Sequence, residues 1–103
     1  MKIIEKWYSI DELKEKLTPV FEEFGLLKVY VFGAYARNEE NPKAEVDLLI
    51  KTSEVMELER FYEFMRDLHH AVRVKVDVTF EEYINPYLKE EIQREAILLY
   101  ERG

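Results

Sequence analysis

The chain has 103 residues, 48% of them hydrophobic, and a net charge of −7. This length suits one domain, residues 1–103, and not two. The absence of cysteine excludes disulfides and thiolate metal sites, and no apolar stretch is long enough to span a membrane. An acidic surface repels the nucleic-acid backbone, although a nucleotide accompanied by divalent cations is still acceptable. We therefore expect a cytoplasmic protein for which membranes and direct nucleic-acid binding are disfavoured.

The first predicted element is a helix that follows Ser9. Ser9 and Glu12 form a capping-box pattern, and apolar residues then recur at helical spacing. Gly25 is a suitable stop for this helix. Pro19 lies late in the helix, where a proline predicts a kink or a break.

The middle of the chain predicts two strands joined by a short helix and a loop. Residues 26–33 form an apolar run that ends in a glycine and reads as a buried strand. Residues 34–37 predict the start of a short helix, and the polar stretch after them is typical of a loop. Residues 44–51 predict the second strand.

The last part of the chain repeats the alternation of helix and strand. Apolar residues at helical spacing predict a helix over 55–70, and strict alternation predicts a strand over 73–80. Residues 85–95 predict a helix with Pro86 at its start, and 96–100 predict a final strand. The order favours an α/β (α+β) fold, in which a sheet of about four strands carries helices packed on it.

Three carboxylates stand out on the predicted strands. Glu45 and Asp47 lie two residues apart, so their side chains point to the same face of a strand. Asp77 lies on the polar face of the 73–80 strand, so all three converge if the two strands are neighbours. Like charges this close need compensation, and hard oxygen ligands suit Mg²⁺ or Mn²⁺. Two such ions can clamp the attacking and leaving oxygens of a phosphoryl group.

Gly33 supplies a second half of the predicted site. A glycine between a strand and a short helix lets a phosphate approach the backbone closely, and the helix start offers free N–H groups. The pattern therefore predicts a site for a nucleotide, with carboxylates holding a metal and the 34–37 turn holding phosphates. An isolated Glu-x-Asp pair is weak evidence, and the combination with Gly33 and Asp77 is much stronger.

This combination resembles the nucleotidyltransferase superfamily of DNA polymerase β, in particular its minimal members. Their pattern is Gly-Ser, about ten residues, Asp-x-Asp and a third acid on a later strand. Here Gly33 and Ala34 match Gly-Ser, Glu45 and Asp47 match the acidic pair, and Asp77 matches the third acid. The segment "FGAYARN" and the C-terminal segment "EEIQREAILLYE" are also similar to those of the minimal members, so the resemblance covers nearly the whole chain.

The resemblance implies a mixed sheet flanked by helices, the fold of polymerase-β-like nucleotidyltransferases. It also implies transfer of a nucleoside monophosphate, AMP from ATP or its equivalent from another nucleoside triphosphate, to an acceptor with Mg²⁺ or Mn²⁺ as cofactor. Glu45, Asp47 and Asp77 would then be catalytic metal ligands, with nucleotide contacts from Gly33, Ala34 and Arg37. Minimal members are often antitoxins of an all-helical HEPN ribonuclease toxin, and some silence that toxin by adenylylating it. A homo-oligomer and a hetero-oligomer with such a partner are both compatible with the resemblance.

Two substitutions depart from the family pattern at its centre. Ala34 lacks the hydroxyl that binds a terminal phosphate in the family, and losing such a bond costs about 1.5–3 kcal/mol. Glu45 keeps the charge of an Asp but adds a methylene, and a displacement of about 1 Å can cost on the order of 100-fold in rate. Asn38 replaces a family glycine and tolerates positive φ.

Other interpretations of these residues stay open. The acids can be solvated or paired with a lysine, and Lys75 lies on the same strand face as Asp77. Arg37 fits either a phosphate contact or a salt bridge at a helix end. A catalytically impaired antitoxin that neutralises a HEPN toxin by binding alone is the alternative function. A template-directed polymerase is disfavoured because the chain is acidic and lacks basic domains to grip a template.

Overall fold

A computed structural model describes residues 2–103 and contains a four-stranded sheet with three helices. The predicted alternation of helices and strands is confirmed. In chain order the elements are α1 (Ile10–Glu23), β1 (Lys28–Phe32), β2 (Val46–Lys51), α2 (Leu58–Val72), β3 (Val76–Phe80), a 3₁₀ turn (Glu81–Tyr83), α3 (Pro86–Glu95) and β4 (Ile97–Glu101). Among the described residues, no helix has both the length and the apolar character needed to cross a membrane.

The strand order in the sheet is β3-β2-β1-β4. β1 is antiparallel to both β2 and β4, whereas β2 and β3 run parallel, so the sheet is mixed as predicted. α1 packs against α2 and β4, and their apolar side chains form the main core with one face of the sheet. Leu49 and Ile92 are buried outside that core cluster, and α3 contacts β1. The face that carries Leu49 and the predicted acids is therefore the one next to α3.

α1 begins as predicted and continues through its proline. The Ser9 hydroxyl accepts a hydrogen bond from the Glu12 N–H at 3.0 Å, and the Glu12 carboxylate accepts one from the Ser9 N–H at 3.0 Å. The predicted break at Pro19 does not occur. The reason is packing, since Leu17 and Val20 on either side of the proline are buried in the core and hold the last turn in place.

The predicted short helix after Gly33 is a single turn. The Arg37 N–H donates to the Gly33 carbonyl at 3.1 Å, and the Glu39 N–H donates to the Ala34 carbonyl at 2.9 Å. Asn38 has a φ of 55°, which is left-handed and ends the turn before a second one forms. Asn38 thus adopts the conformation that a glycine would take most easily.

All four strands begin one to three residues later than the sequence predicts, and the shift is largest for β3. α2 extends to Val72, and its C-cap Arg73 takes a left-handed φ of 59°, so β3 starts only at Val76. β2 likewise starts at Val46, which leaves Glu45 just outside the strand. The helix cap, which alternation of side chains does not reveal, decides where β3 begins.

The segment before α1, through Trp7 and Tyr8, packs against the turn that follows Gly33. Trp7 stacks on Tyr35 with ring centroids 3.9 Å apart and planes 6° from parallel. The Tyr35 hydroxyl accepts a hydrogen bond from the Tyr8 N–H at 3.2 Å, and the Tyr8 hydroxyl donates to the Val72 carbonyl at 2.7 Å. Because Tyr35 is buried in the middle of the turn, these contacts fix the turn against the end of α2.

Candidate functional site

The sheet brings the predicted carboxylates to one edge. Asp47 lies opposite Asp77 in the parallel pair of β2 and β3, and opposite Phe32 in the antiparallel pair of β2 and β1. The starts of β2 and β3 therefore meet the end of β1. Glu45, two residues before Asp47, projects at the same edge because side chains alternate along extended chain.

The three acids form one cluster. Carboxylate oxygens of Glu45, Asp47 and Asp77 lie within 4.8 Å of one another. Glu45 and Asp47 are half-buried, whereas Asp77 is exposed. The convergence predicted from the sequence is thus present, and the spacing of the oxygens suits a shared divalent cation.

The environment of Asp47 disfavours its charged form. Burial, followed by the nearby charges of Asp77 and Glu45, raises the pKa of Asp47 to about 6. Arg37 opposes this shift and Glu95 adds to it. A bound cation would reverse the balance, because opposite charge favours the ionised carboxylate.

A side chain at position 33 would collide with the Asp47 carboxylate. The φ of Gly33 is +70°, and a Cβ at this position would lie 2.4 Å from the Asp47 Oδ2. Both the left-handed backbone and the approach to the carboxylate therefore favour glycine. The end of β1 and the acid of β2 form one surface as a result.

Glu45 has a cationic neighbour in the structure. The Lys75 Nζ lies 2.8 Å from the Glu45 Oε1, and both side chains are partly exposed to solvent. The pairing of an acid of the cluster with Lys75, one of the alternatives left open by the sequence, is thus present at Glu45. The hydrogen bond with Glu45 raises the pKa of Lys75. A lysine ammonium and a metal ion would thus compete for the same carboxylate.

The turn after Gly33 presents its N–H groups beside the acids. For residues 2–103, we find no protein acceptor for the N–H groups of Ala34 and Ala36. Ala34 itself is half-buried and offers only its backbone. Free N–H groups at the start of a helical turn attract anions.

Arg37 forms the salt bridge that was one of its two expected roles. Its Nε lies 2.7 Å from the Glu39 Oε1, and its Nη1 lies 3.2 Å from the Glu95 Oε1. The Glu95 Oε1 also accepts a hydrogen bond from the Gly33 N–H at 3.2 Å. Arg37 and Gly33 therefore share one carboxylate.

A cavity of about 460 Å³ opens between these groups and α3. Asp77, Gly33 and Arg37 line its polar side. The other lining residues come from β1, β3 and α3 and are Phe32, Thr79, Leu88, Glu91, Ile92 and Glu95. Its apolar side chains are those of Phe32, Leu88 and Ile92, and a mixture of apolar surface with convergent polar groups is typical of small-molecule sites.

The comparisons with known proteins agree with this geometry. A sequence model of the family described as "Polymerase beta, Nucleotidyltransferase" matches residues 15–103. The chain belongs to this nucleotidyltransferase family. A relative from Methanocaldococcus jannaschii, named "Putative protein adenylyltransferase MJ0435", is 32% identical over 89 residues, which are 86% of this chain and 96% of the relative.

Solved structures show the same fold for members of the nucleotidyltransferase family. A structure described as a "putative minimal nucleotidyltransferase" is 29% identical, covers 87% of this chain and 95% of its own, and has a TM-score of 0.74. A tri-AMPylated Shewanella oneidensis HEPN toxin in complex with MNT antitoxin gives a TM-score of 0.70 at 15% identity, over 90% of this chain and 73% of the other. At 15% identity, the similarity to this second structure shows only that the two proteins share a fold.

Two features of this nucleotidyltransferase were not predicted from the sequence. The sequence pattern places Glu95 at the end of a predicted helix and assigns it no other role. A carboxylate in the last helical turn is unfavourable, and this is the signal that could have indicated a contact elsewhere. The apolar wall from Leu88 and Ile92 depends on how α3 packs, for which the sequence holds no direct signal. Both lie next to residues that were predicted.

Proposed function

We propose that this nucleotidyltransferase transfers AMP from ATP to a protein acceptor. The observation that carries the proposal is the meeting of three carboxylates and the Gly33 turn at one sheet edge, beside a cavity large enough for a nucleotide. Relatives named as protein adenylyltransferases favour a protein as acceptor. A requirement for ATP and a protein acceptor goes beyond family membership and is part of the proposal.

Glu45, Asp47 and Asp77 would hold Mg²⁺ or Mn²⁺. The fit rests on their oxygens lying within 4.8 Å of one another. Burial and then the charges of Asp77 and Glu45 raise the pKa of Asp47, and a bound cation would offset the repulsion among these acids. When bound, the metal would neutralise charge on the phosphates and on the attacking oxygen. Only oxygen ligands are offered, which suits these hard cations better than zinc or copper.

The remaining residues would bind and orient the triphosphate. The N–H groups of Ala34 and Ala36 and the Arg37 guanidinium would offer donors for phosphate oxygens. Gly33 lets a phosphate lie against the backbone. The cavity wall next to α3 would take the nucleoside, because its apolar side chains match a base better than a phosphate.

The chemical step is an in-line displacement at the α-phosphorus. The acceptor hydroxyl oxygen forms the new bond to the α-phosphorus, and the bond from this phosphorus to the α–β bridging oxygen breaks. Pyrophosphate leaves with that electron pair. Asp77 is the most exposed of the three acids, so we assign it the additional role of accepting the hydroxyl proton.

We further propose that the acceptor is a HEPN-type helical toxin and that the protein is its antitoxin. The HEPN complex described above supports this, because its toxin is AMPylated and bound to a protein of the same fold. ATP and a ribonuclease toxin are both found in the cytoplasm, which is where we place the reaction. The complex with such a partner would be a hetero-oligomer.

The test is to incubate the protein with Mg²⁺, ATP and its helical partner and to measure the mass of each intact chain. The proposal predicts the addition of AMP to the partner by the wild type and none by Asp47→Ala. The proposal is wrong if neither chain gains mass, or if Asp47→Ala transfers AMP as well as the wild type does.

A second function is favoured by two observations at the same site. Ala34 provides no hydroxyl, and Lys75 already pairs with Glu45 at 2.8 Å. Both fit a chain that keeps the fold and neutralises its partner by binding alone. Toxin neutralisation by Asp47→Ala and Asp77→Ala separates the two functions: binding alone predicts full neutralisation, whereas adenylyl transfer predicts its loss.

A further inference from the structure

The Glu95 carboxylate makes the contacts that a phosphate group would need. Its Oε1 accepts a hydrogen bond from the Gly33 N–H at 3.2 Å. Both of its oxygens lie 3.2 Å from the Arg37 Nη1. An anionic oxygen that receives a backbone N–H and a guanidinium is bound as phosphate oxygens are bound elsewhere in proteins.

The position of Glu95 is not explained by its own helix. It is the last residue of α3, where the negative end of the helix dipole disfavours a carboxylate. The α3 cap is formed without it, by the Ala96 N–H and the Ile92 carbonyl at 2.9 Å. The contacts of Glu95 with Gly33 and Arg37 therefore account for its place.

These contacts are weak enough to open. The side chains of Arg37 and Glu95 are 49% and 32% exposed, and ion pairs this exposed are readily exchanged for water. α3 is lightly anchored, since Ile92 is its one buried residue. A change of the Glu95 side-chain rotamer, or a small shift of α3, would free the Gly33 N–H and the guanidinium together.

We propose that Glu95 is an autoinhibitory residue that takes the position of a phosphate group at Gly33 and Arg37 and must leave before a triphosphate binds. The inference rests on the proposed function, because it assigns Gly33 and Arg37 to the phosphates. A bound phosphate and the Glu95 carboxylate exclude each other, since both need the same two donors. Glu95 also adds a fourth negative charge beside Asp47 and Asp77 and so repels the incoming triphosphate.

The test measures binding and not turnover. Dissociation constants for MgATP and for inorganic triphosphate are measured by calorimetry with the wild type, Glu95→Gln and Glu95→Ala. We expect both variants to bind both ligands about 5- to 30-fold more tightly, with Glu95→Ala at least as tight as Glu95→Gln. The matched control is Glu90→Gln, which removes the same charge from an exposed position of α3 that does not line the cavity. It should change affinity by less than about 2-fold.

The Gly33 amide resonance gives a second readout that does not depend on ligands. The chain has only 3 glycines, so this peak is readily assigned. It should move in Glu95→Ala and stay in place in Glu90→Gln, and titration of the wild type with MgATP should also move it. Equal or weaker binding by both Glu95 variants, with the wild type still binding MgATP, overturns the autoinhibition and leaves the proposed function standing. If no variant binds MgATP or triphosphate, the proposed function and the autoinhibition fail together.

Discussion

Replacement of Asp47 by Asn should make the protein more stable while it removes one of the proposed metal ligands. The pKa of Asp47 rises from 3.8 to about 6 on folding, first because of burial and then because of Asp77 and Glu45. The folded state therefore binds a proton at Asp47 more tightly than the unfolded state does. The resulting stabilisation is complete below about pH 4 and is lost as the pH rises through about 6.

The magnitude follows from the size of the pKa change. The full shift corresponds to an electrostatic destabilisation of about 3 kcal/mol for the ionised Asp47 in the folded state. Asp47 is only half-buried, and solvent screening reduces this to about 1–2 kcal/mol. Asn has nearly the same shape as Asp and carries no charge, so it removes this penalty at neutral pH. We expect the free energy of unfolding of Asp47→Asn to exceed that of the wild type by about 1–2 kcal/mol at pH 7.5.

Urea unfolding curves at two pH values test this reasoning. At pH 4 the gain should nearly vanish, because wild-type Asp47 is then largely protonated in the folded state. Asp77→Asn is the control, since Asp77 is exposed and its replacement should give a smaller gain. Millimolar Mg²⁺ should stabilise the wild type more than Asp47→Asn, because the variant lacks a ligand. A loss of stability in Asp47→Asn at pH 7.5, or an equal gain at both pH values, would refute the electrostatic account.

Three further substitutions test other parts of the site. Gly33→Ala should lower the free energy of unfolding by about 2–4 kcal/mol, because the added Cβ meets Asp47. The control is Gly25→Ala, which has a similar φ but open space around it and should cost about 1 kcal/mol. Equal losses for the two variants in urea unfolding would contradict the close contact at Gly33. Ala34→Ser adds the missing hydroxyl and should tighten MgATP binding about 10-fold or more in calorimetry, and an unchanged affinity would mean that this side chain does not reach the phosphates. Lys75→Gln removes the cation beside Glu45 and should tighten Mg²⁺ binding about 2- to 5-fold, so a weaker affinity would argue against competition.

Much of the fold could be predicted because periodicity and capping residues act locally. The capping box at Ser9 and the alternation around Asp77 each depend on a few neighbouring residues. The errors lie where two local rules compete. At Pro19 the packing of α1 outweighs the missing N–H, and at Arg73 a helix cap replaces the expected start of a strand.

The acidic residues of the candidate site could be predicted from the sequence, whereas the residues that contact them or the Gly33 turn could be predicted less well. Side-chain alternation puts Glu45 and Asp47 on one face, and the sheet register then adds Asp77. The contact between Gly33 and Glu95 joins residues 62 positions apart, and no spacing rule connects them. Such a contact depends on how α3 packs, which is a property of the folded chain as a whole.

The most direct measurement of the central claim follows the fate of labelled phosphates. The wild type is incubated with Mg²⁺ and its helical partner, once with ATP labelled at the α-phosphate and once with ATP labelled at the γ-phosphate. Nucleotidyl transfer predicts that the α-label remains on the partner protein, that the γ-label is released in pyrophosphate, and that Asp47→Asn transfers neither. Retention of the γ-label would mean phosphoryl transfer, and absence of both labels from protein would mean that no transfer occurs; either result contradicts the account.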